Sequence, residues 1–150
     1  MSSIKTKLYN QCVEFLEARL TIVNQTISDL QNALQAETKS SAGDKHETGR
    51  AMLQLEREKA GNQLAEIEKQ KQILQKINPA SNYQKVTLGS VVKTTGANYF
   101  ISISAGKIEV EYNSYFAISA ATPIAQLLIS KCVNDTVRFR ETEFTILDII

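Results

Sequence analysis

The chain has 150 residues and a formal net charge of +1, from 17 Lys and Arg against 16 Asp and Glu. This length suits one ordinary domain or two small ones. Hydrophobic residues make up 43% of the sequence, which is enough for a packed core. The near-neutral charge argues against a disordered tail or a basic arm that holds nucleic acid by electrostatics.

The chain has no apolar run long enough to cross a membrane, and its start reads as a charged helix rather than a signal segment. We therefore expect a cytoplasmic protein with no membrane partner. Cys12 and Cys132 lie far apart and His46 is the only histidine, so the sequence cannot assemble a zinc ligand set. Two free thiols are expected, as is usual in a reducing compartment.

The first predicted element is a long helix whose apolar residues recur at alternating spacings of three and four. These residues are Val13, Leu16, Leu20, Val23, Ile27, Leu30 and Leu34. Such a heptad seam requires a partner helix. The run from about residue 47 to residue 77 supplies a second, looser seam, which Arg57 and Lys71 interrupt.

The polar segment 37–46 between the two seams contains Gly43 and predicts the turn of an antiparallel helical hairpin. Asn78-Pro79 is expected to end the second helix, because proline lacks an amide donor and restricts the residue before it. At a rise of about 1.5 Å per residue, an arm of roughly 30 residues would place its turn on the order of 45 Å from its base. The periodicity alone also fits a plain dimerising coiled coil.

Beyond Pro79 the composition shifts to Val, Ile, Thr, Tyr and Phe, which suit a pleated sheet. Six short strands with turn residues between them predict an antiparallel sheet. The strands are expected within residues 86–92, 99–103, 108–112, 115–118, 136–140 and 144–148. Thr122 as N-cap and Pro123 at the first helical position predict one short helix that covers the sheet.

The expected fold class is therefore α+β, with an N-terminal antiparallel coiled-coil hairpin followed by a small antiparallel β-sheet domain with one short helix. The hairpin is assigned to residues 1–78, with its tip at about 39–48, and the sheet domain to residues 79–150. Strand alternation does not decide whether Tyr99, Tyr112 and Tyr115 are exposed at an interface or packed in the core.

Residues 43–51 at the predicted tip read Gly-Asp-Lys-His-Glu-Thr-Gly-Arg-Ala. Residues 86–90 read Val-Thr-Leu-Gly-Ser, and residues 117–131 read Ala-Ile-Ser-Ala-Ala-Thr-Pro-Ile-Ala-Gln-Leu-Leu-Ile-Ser-Lys. Over nearly its whole length the chain resembles the Gre family of bacterial transcription elongation factors. That family carries Gly-Asp-x-x-Glu-Asn-Ala-Glu-Tyr at the hairpin tip and Ile-Ser-x-x-Ser-Pro-Leu-Gly-x-Ala-Leu-Leu-Gly-Lys in its C-terminal domain.

The resemblance implies an FKBP-like fold for the second domain and an accessory factor of RNA polymerase rather than an enzyme in its own right. It implies that the hairpin enters the secondary channel of the polymerase and touches nucleic acid only at the tip. There Asp44 and Glu47 would help hold Mg²⁺ at the active centre and position a water that hydrolyses backtracked RNA.

The residue types suit this chemistry on independent grounds. Asp44 and Glu47 share a helix face if the second helix reaches back to Asp44, and paired carboxylates favour Mg²⁺ without forming a complete cage. A two-metal site stabilises both the attacking and the leaving oxygen of a phosphodiester.

Other interpretations of the tip remain open in the sequence. Asp44 and Glu47 also fit a capping box. Lys45 and His46 are tip contacts; the histidine suits a general base or metal ligand, or is a solvent-exposed loop residue. Arg50 stands where the family pattern has an acid, and it would either weaken metal binding or contact a phosphate or a polymerase carboxylate. The alternative functions are a channel-binding regulator or inhibitor without cleavage activity and a structural coiled-coil adaptor.

Overall fold

The computed structural model describes residues 3–39 and 44–150, with the side chains of residues 38–47 outside the description. The elements in chain order are α1 (Ile4–Lys39), α2 (Asp44–Gln75), β1 (Val91–Thr94), β2 (Tyr99–Ser102), β3 (Gly106–Val110), β4 (Asn113–Ser119), α3 (Pro123–Leu128), β5 (Thr136–Phe139) and β6 (Thr142–Ile149). This order confirms the α+β class. Within the described ranges, neither long helix is apolar enough over a sufficient length to cross a membrane.

Packing divides the chain into two compact units. One unit is Leu16–Gln70, and the other combines the residues up to Phe15 with Lys71–Ile150. The first residues of α1 and the last residues of α2 therefore belong to the same unit as the sheet. The predicted domain boundary at residue 79 follows composition and stays a prediction.

In the unit Leu16–Gln70, α1 and α2 run antiparallel. Arg19 Nη1 donates a hydrogen bond to Gln70 Oε1 at 3.3 Å, while Glu37 lies beside Gly49. The seam residues are the ones withdrawn from solvent; the buried members are Leu16, Val23, Ala60 and Ile67. The predicted helical hairpin is confirmed, and its apolar seam accounts for the pairing.

The two helices take up more of the polar segment 37–46 than the sequence predicts. Helix α1 continues to Lys39 and α2 begins at Asp44. The sequence predicts a turn here because the segment is polar and contains a glycine. Glutamate and lysine are nevertheless good helix formers, and polarity does not end a helix on its exposed side.

The sheet has the strand order β3-β4-β2-β1-β6-β5. Its neighbouring strands are antiparallel except for β2 and β4, which are parallel with Tyr99 opposite Phe116. The prediction of an antiparallel sheet is wrong for this pair. The β3–β4 hairpin places β4 inside the sheet and leaves β3, with its exposed Lys107 and Glu109, at the edge. Charged residues are suited to an edge strand, which has one unpaired side.

The predicted first strand, residues 86–92, is also wrong in extent. The regular strand begins at Val91, because Gly89 takes a positive φ of 91° that interrupts an extended chain. Residues 87–90 instead form a turn, in which Ser90 N donates to Thr87 O at 3.0 Å and Thr87 N donates to Ser90 Oγ at 2.9 Å.

One face of the sheet is covered by α3. Thr122 caps this helix by accepting a hydrogen bond from Ala125 N, and Pro123 occupies the start of the helix, as predicted. The buried cluster on this side comprises Val86, Val92, Ile101, Ala125, Leu128, Val137, Phe144, Ile146 and Ile149. Its aliphatic side chains anchor α3 through the hydrophobic effect.

The opposite face is covered by the start of α1. Leu8 and Cys12 are fully buried one helical turn apart, and Cys12 Sγ lies 3.7 Å from Ser102 Oγ on β2. Burial raises the pKa of the Cys12 thiol, although the hydrogen bond with Ser102 opposes this effect. Cys12 and Cys132 are both free, as predicted.

Lys5 connects the first turn of α1 to the segment that follows α2. Only 1% of this lysine is exposed. Its Nζ donates a hydrogen bond to Ser81 O at 2.6 Å and lies 4.6 Å from the ring centroid of Tyr83. Because burial disfavours the ammonium ion, the pKa of Lys5 falls to about 8 from its ordinary value of 10.5.

This lowered pKa predicts that stability rises with pH. Between about pH 8 and pH 10.5 the unfolded chain binds more protons at Lys5 than the folded chain does. We therefore expect the free energy of unfolding of the native protein to increase over this window relative to a Lys5→Met variant, measured by urea denaturation. A difference between the two proteins that stays constant with pH would contradict this expectation.

Tyr115 gives a second stability prediction. Its hydroxyl is buried and has no hydrogen-bond partner among the described residues. Because an unpaired buried hydroxyl costs on the order of 1–3 kcal/mol, Tyr115→Phe should raise the free energy of unfolding by about 1 kcal/mol. The matched control is Tyr9→Phe, which removes a hydroxyl that donates to Leu74 O at 3.0 Å and should lower stability. Destabilisation by both substitutions would refute the prediction.

Candidate functional site

The predicted acidic residues of the tip fall in the first turn of α2. This helix begins at Asp44, so the condition for Asp44 and Glu47 to share a helix face is met by the backbone. The side chains of Asp44, Lys45, His46 and Glu47 lie outside the described residues. Their assignment as metal ligands, catalytic acids and tip contacts therefore stays a prediction.

The start of α2 also bears on the capping alternative. A capping box would use Asp44 as the residue that precedes the helix, whereas α2 includes Asp44 as its first residue. Acidic residues in a first helical turn complement the positive end of the helix dipole. Both acids are thus compatible with local helix stability whether or not they also bind a metal.

The second turn of α2 is described in full and contains the departure from the family pattern. Thr48 is exposed, while Gly49 and Arg50 are half-buried. Arg50 lies three positions after Glu47, so the two positions share a helix face. A cation at this position is therefore next to one of the two predicted metal ligands along the helix.

Glu37 is a third acidic residue at this end of the hairpin, and the sequence reasoning missed it. A Cβ atom added to Gly49 would lie 3.5 Å from Glu37 Oε1, so this carboxylate is next to the second turn of α2. The signal was available, since Glu37 continues the alternating spacing three residues after Leu34. A seam defined by apolar residues alone ends at Leu34, although the same spacing continues to Glu37.

The described side chains contain no group of three or more His, Cys, Asp and Glu residues placed to hold a metal ion. The Mg²⁺ hypothesis therefore depends on Asp44 and Glu47. Two carboxylates supply the hard oxygen ligands that Mg²⁺ prefers, but they are fewer than its octahedral coordination needs. Such a pair fits an ion that is shared with other ligands.

The structure decides between the two interpretations of the tyrosines. Tyr115 is buried, and Tyr99 packs against the rings of Phe116 and Phe144 at centroid distances of 6.3 and 6.4 Å. Tyr112 is fully exposed in the turn between β3 and β4. Of the three aromatic residues, Tyr112 is therefore the one placed for an external contact.

Comparison with known proteins gives a distant likeness among solved structures. No family model matches the chain, and no curated protein matches it. Among solved structures, one described as "Structure of the transcription factor Gfh1" aligns over 94% of this chain and 92% of that chain. The two sequences are 19% identical over the alignment, and the TM-score is 0.34.

Gly49 yields a prediction for the hairpin end. A methyl group here makes only an ordinary contact with Glu37, so Gly49→Ala should raise the free energy of unfolding by about 0.5–1 kcal/mol through helix propensity. Gly61→Ala is the matched control, because its Cβ would lie 3.1 Å from Arg57 Nη1 and the gain should be smaller. Thermal unfolding measures both, and a destabilised Gly49→Ala protein would show that the contact is tighter than described.

Proposed function

We propose that this protein is an accessory factor of RNA polymerase that carries two carboxylates into the active centre and stimulates hydrolytic cleavage of backtracked RNA. The observation that carries this proposal is the start of α2 at Asp44, which places positions 44 and 47 on one face of the first turn. This turn lies where the chain passes from α1 to α2, at one end of the antiparallel hairpin. The resemblance of residues 43–47 to the Gre tip motif supports the same assignment.

The dimensions of the hairpin suit such a role. From Leu16 to Lys39, α1 rises about 36 Å, and each helix with its side chains is about 10–12 Å across. Its buried apolar residues lie between the two helices, and the outer surface is mostly polar, with Ile22, Met52 and Leu55 as exposed apolar exceptions. A narrow, polar pair of helices fits a water-filled channel in another protein.

The proposed chemistry assigns each tip residue a task. Asp44 and Glu47 supply carboxylate oxygens for Mg²⁺ and accept hydrogen bonds from the attacking water, which orients it towards the phosphodiester. When shared with the polymerase, the ion offsets the charge of the scissile phosphate. Lys45 contacts the RNA phosphates, and the imidazole of His46 accepts a proton. Nucleic acid is contacted only here, and the protein alone is not an enzyme.

Arg50 favours a second candidate function, a cytoplasmic regulator that occupies the channel without stimulating cleavage. A guanidinium three positions after Glu47 on the helix would compete with a metal ion for that carboxylate. In that case the tip would bind an acidic group or a phosphate of the active centre and block it. Both functions require binding to RNA polymerase. They differ in whether the backtracked RNA is cleaved.

A cleavage assay on a stalled, backtracked elongation complex tests the proposal. The unaltered protein should shorten the RNA in the presence of Mg²⁺, and Asp44→Asn or Glu47→Gln should lower the rate by about 100-fold or more, because each removes a charged ligand of the ion. Glu56→Gln, an exposed acid of α2 beyond the tip, is the matched control and should leave the rate unchanged.

A pull-down of core polymerase in the same experiment separates the alternatives. Retained binding by the Asp44 and Glu47 variants is expected, since these substitutions leave the rest of the fold intact. Binding without cleavage by the unaltered protein would contradict the cleavage role and establish the regulator. Absence of polymerase binding would contradict both the cleavage factor and the regulator. A structural coiled-coil adaptor would then be the remaining hypothesis.

A further inference from the structure

The turn between β3 and β4 presents an aromatic side chain on an unfavourable backbone. Val110 pairs with Asn113, so Glu111 and Tyr112 form a two-residue turn with φ angles of 52° and 68°. Turns with two positive φ angles favour Asn-Gly, because other side chains clash with the backbone. Neither Glu nor Tyr relieves that clash, and Tyr112 has 107% of its reference surface exposed.

The turn is held in place, while the tyrosine ring is left without an internal role. Lys7 Nζ on α1 forms a 2.8 Å ion pair with Glu111 Oε1. Among the described residues, Tyr112 makes no hydrogen bond, ring contact or ion contact. The fold thus holds the backbone of this turn without using the ring for its own packing. Exposed aromatic residues on fixed supports are the usual anchors of protein interfaces.

The residues of a groove beside this turn indicate which kind of chemical group a partner would place there. It is lined by Lys7, Asn10, Gln11 and Glu14 of α1 and by Glu109, Val110 and Glu111 at the end of β3. Gln11 Nε2 donates to Glu109 O at 3.3 Å, and Lys107 Nζ lies 3.8 Å from Glu109 Oε1. Glu14 is exposed and has no hydrogen bond or ion pair with any described residue. The groove therefore offers an unpaired carboxylate, and Tyr112 directly follows Glu111, which lines the same groove.

We propose that Tyr112 and Glu14 form a docking surface for an arginine-bearing segment of a protein partner. The arginine stem and guanidinium plane pack on the Tyr112 ring, and the guanidinium donates hydrogen bonds to the Glu14 carboxylate. Asn10 supplies further polar contacts at the rim. The Lys7–Glu111 and Lys107–Glu109 pairs leave Glu14 as the uncompensated charge of the described groove, and a negative charge disfavours the phosphates of nucleic acid. This inference rests on the proposed function, in which the partner is the polymerase.

The decisive substitution is Tyr112→Gly. Glycine accepts the φ of 68° without strain, so this variant should unfold at a higher temperature than the unaltered protein. It should nevertheless bind core RNA polymerase about tenfold more weakly, because the aromatic anchor is lost. Binding is measured from the fluorescence anisotropy of labelled protein titrated with core polymerase. Greater stability with weaker binding cannot result from misfolding.

Two further variants complete the experiment. Glu14→Gln should also weaken binding and reduce its dependence on salt, since an ion pair is removed. Leu147→Ser, which removes an exposed apolar side chain on β6 several strands from β3, should bind normally. Unchanged affinity of Tyr112→Gly would overturn the docking surface, and unchanged affinity of Glu14→Gln would overturn its arginine occupant. If the unaltered protein fails to bind polymerase, that result contradicts the proposed function and also the proposed partner of the docking surface.

Discussion

The pairing of α1 with α2 through one apolar seam is the interaction that determines where each predicted tip residue lies. Because the helices are antiparallel and Arg19 reaches Gln70 while Glu37 lies beside Gly49, the start of α2 is brought to the far end of α1. The helix start at Asp44 then sets the spacing of the two acids. Without the seam, two helices this polar would gain little from contact with each other.

The same helix takes part in both compact units. Through Leu8 and Cys12 the beginning of α1 covers one face of the sheet, and α3 covers the other. From Leu16 onward α1 pairs with α2. Most residues that serve the fold are apolar and buried, whereas Tyr112 and Glu14 are exposed. Residues that a fold does not need are the ones free to serve binding.

The sequence predicts the parts of the structure that depend on neighbouring residues. It does not predict the parts that depend on contacts between segments far apart in the chain. The heptad spacing predicts the hairpin, and Thr122-Pro123 predicts α3, because both signals are local. The parallel pairing of β2 with β4 depends on which strand of a hairpin faces the sheet, and local alternation does not carry that information. Glu37 was missed because a charged residue occupies a seam position. The exposure of Tyr112 follows from a tight turn without Gly or Asn, which no turn signal marks.

Site-specific photocrosslinking can show whether this end of the hairpin works inside the active centre of a polymerase, as proposed. Thr48 is exposed in the second turn of α2 and can carry the photoreactive group without disturbing the seam. In a stalled elongation complex, we expect crosslinks from this position to the RNA 3′ end or to polymerase residues around the catalytic metal. Crosslinks confined to the outer surface of the polymerase, with none inside the channel, would contradict the proposal.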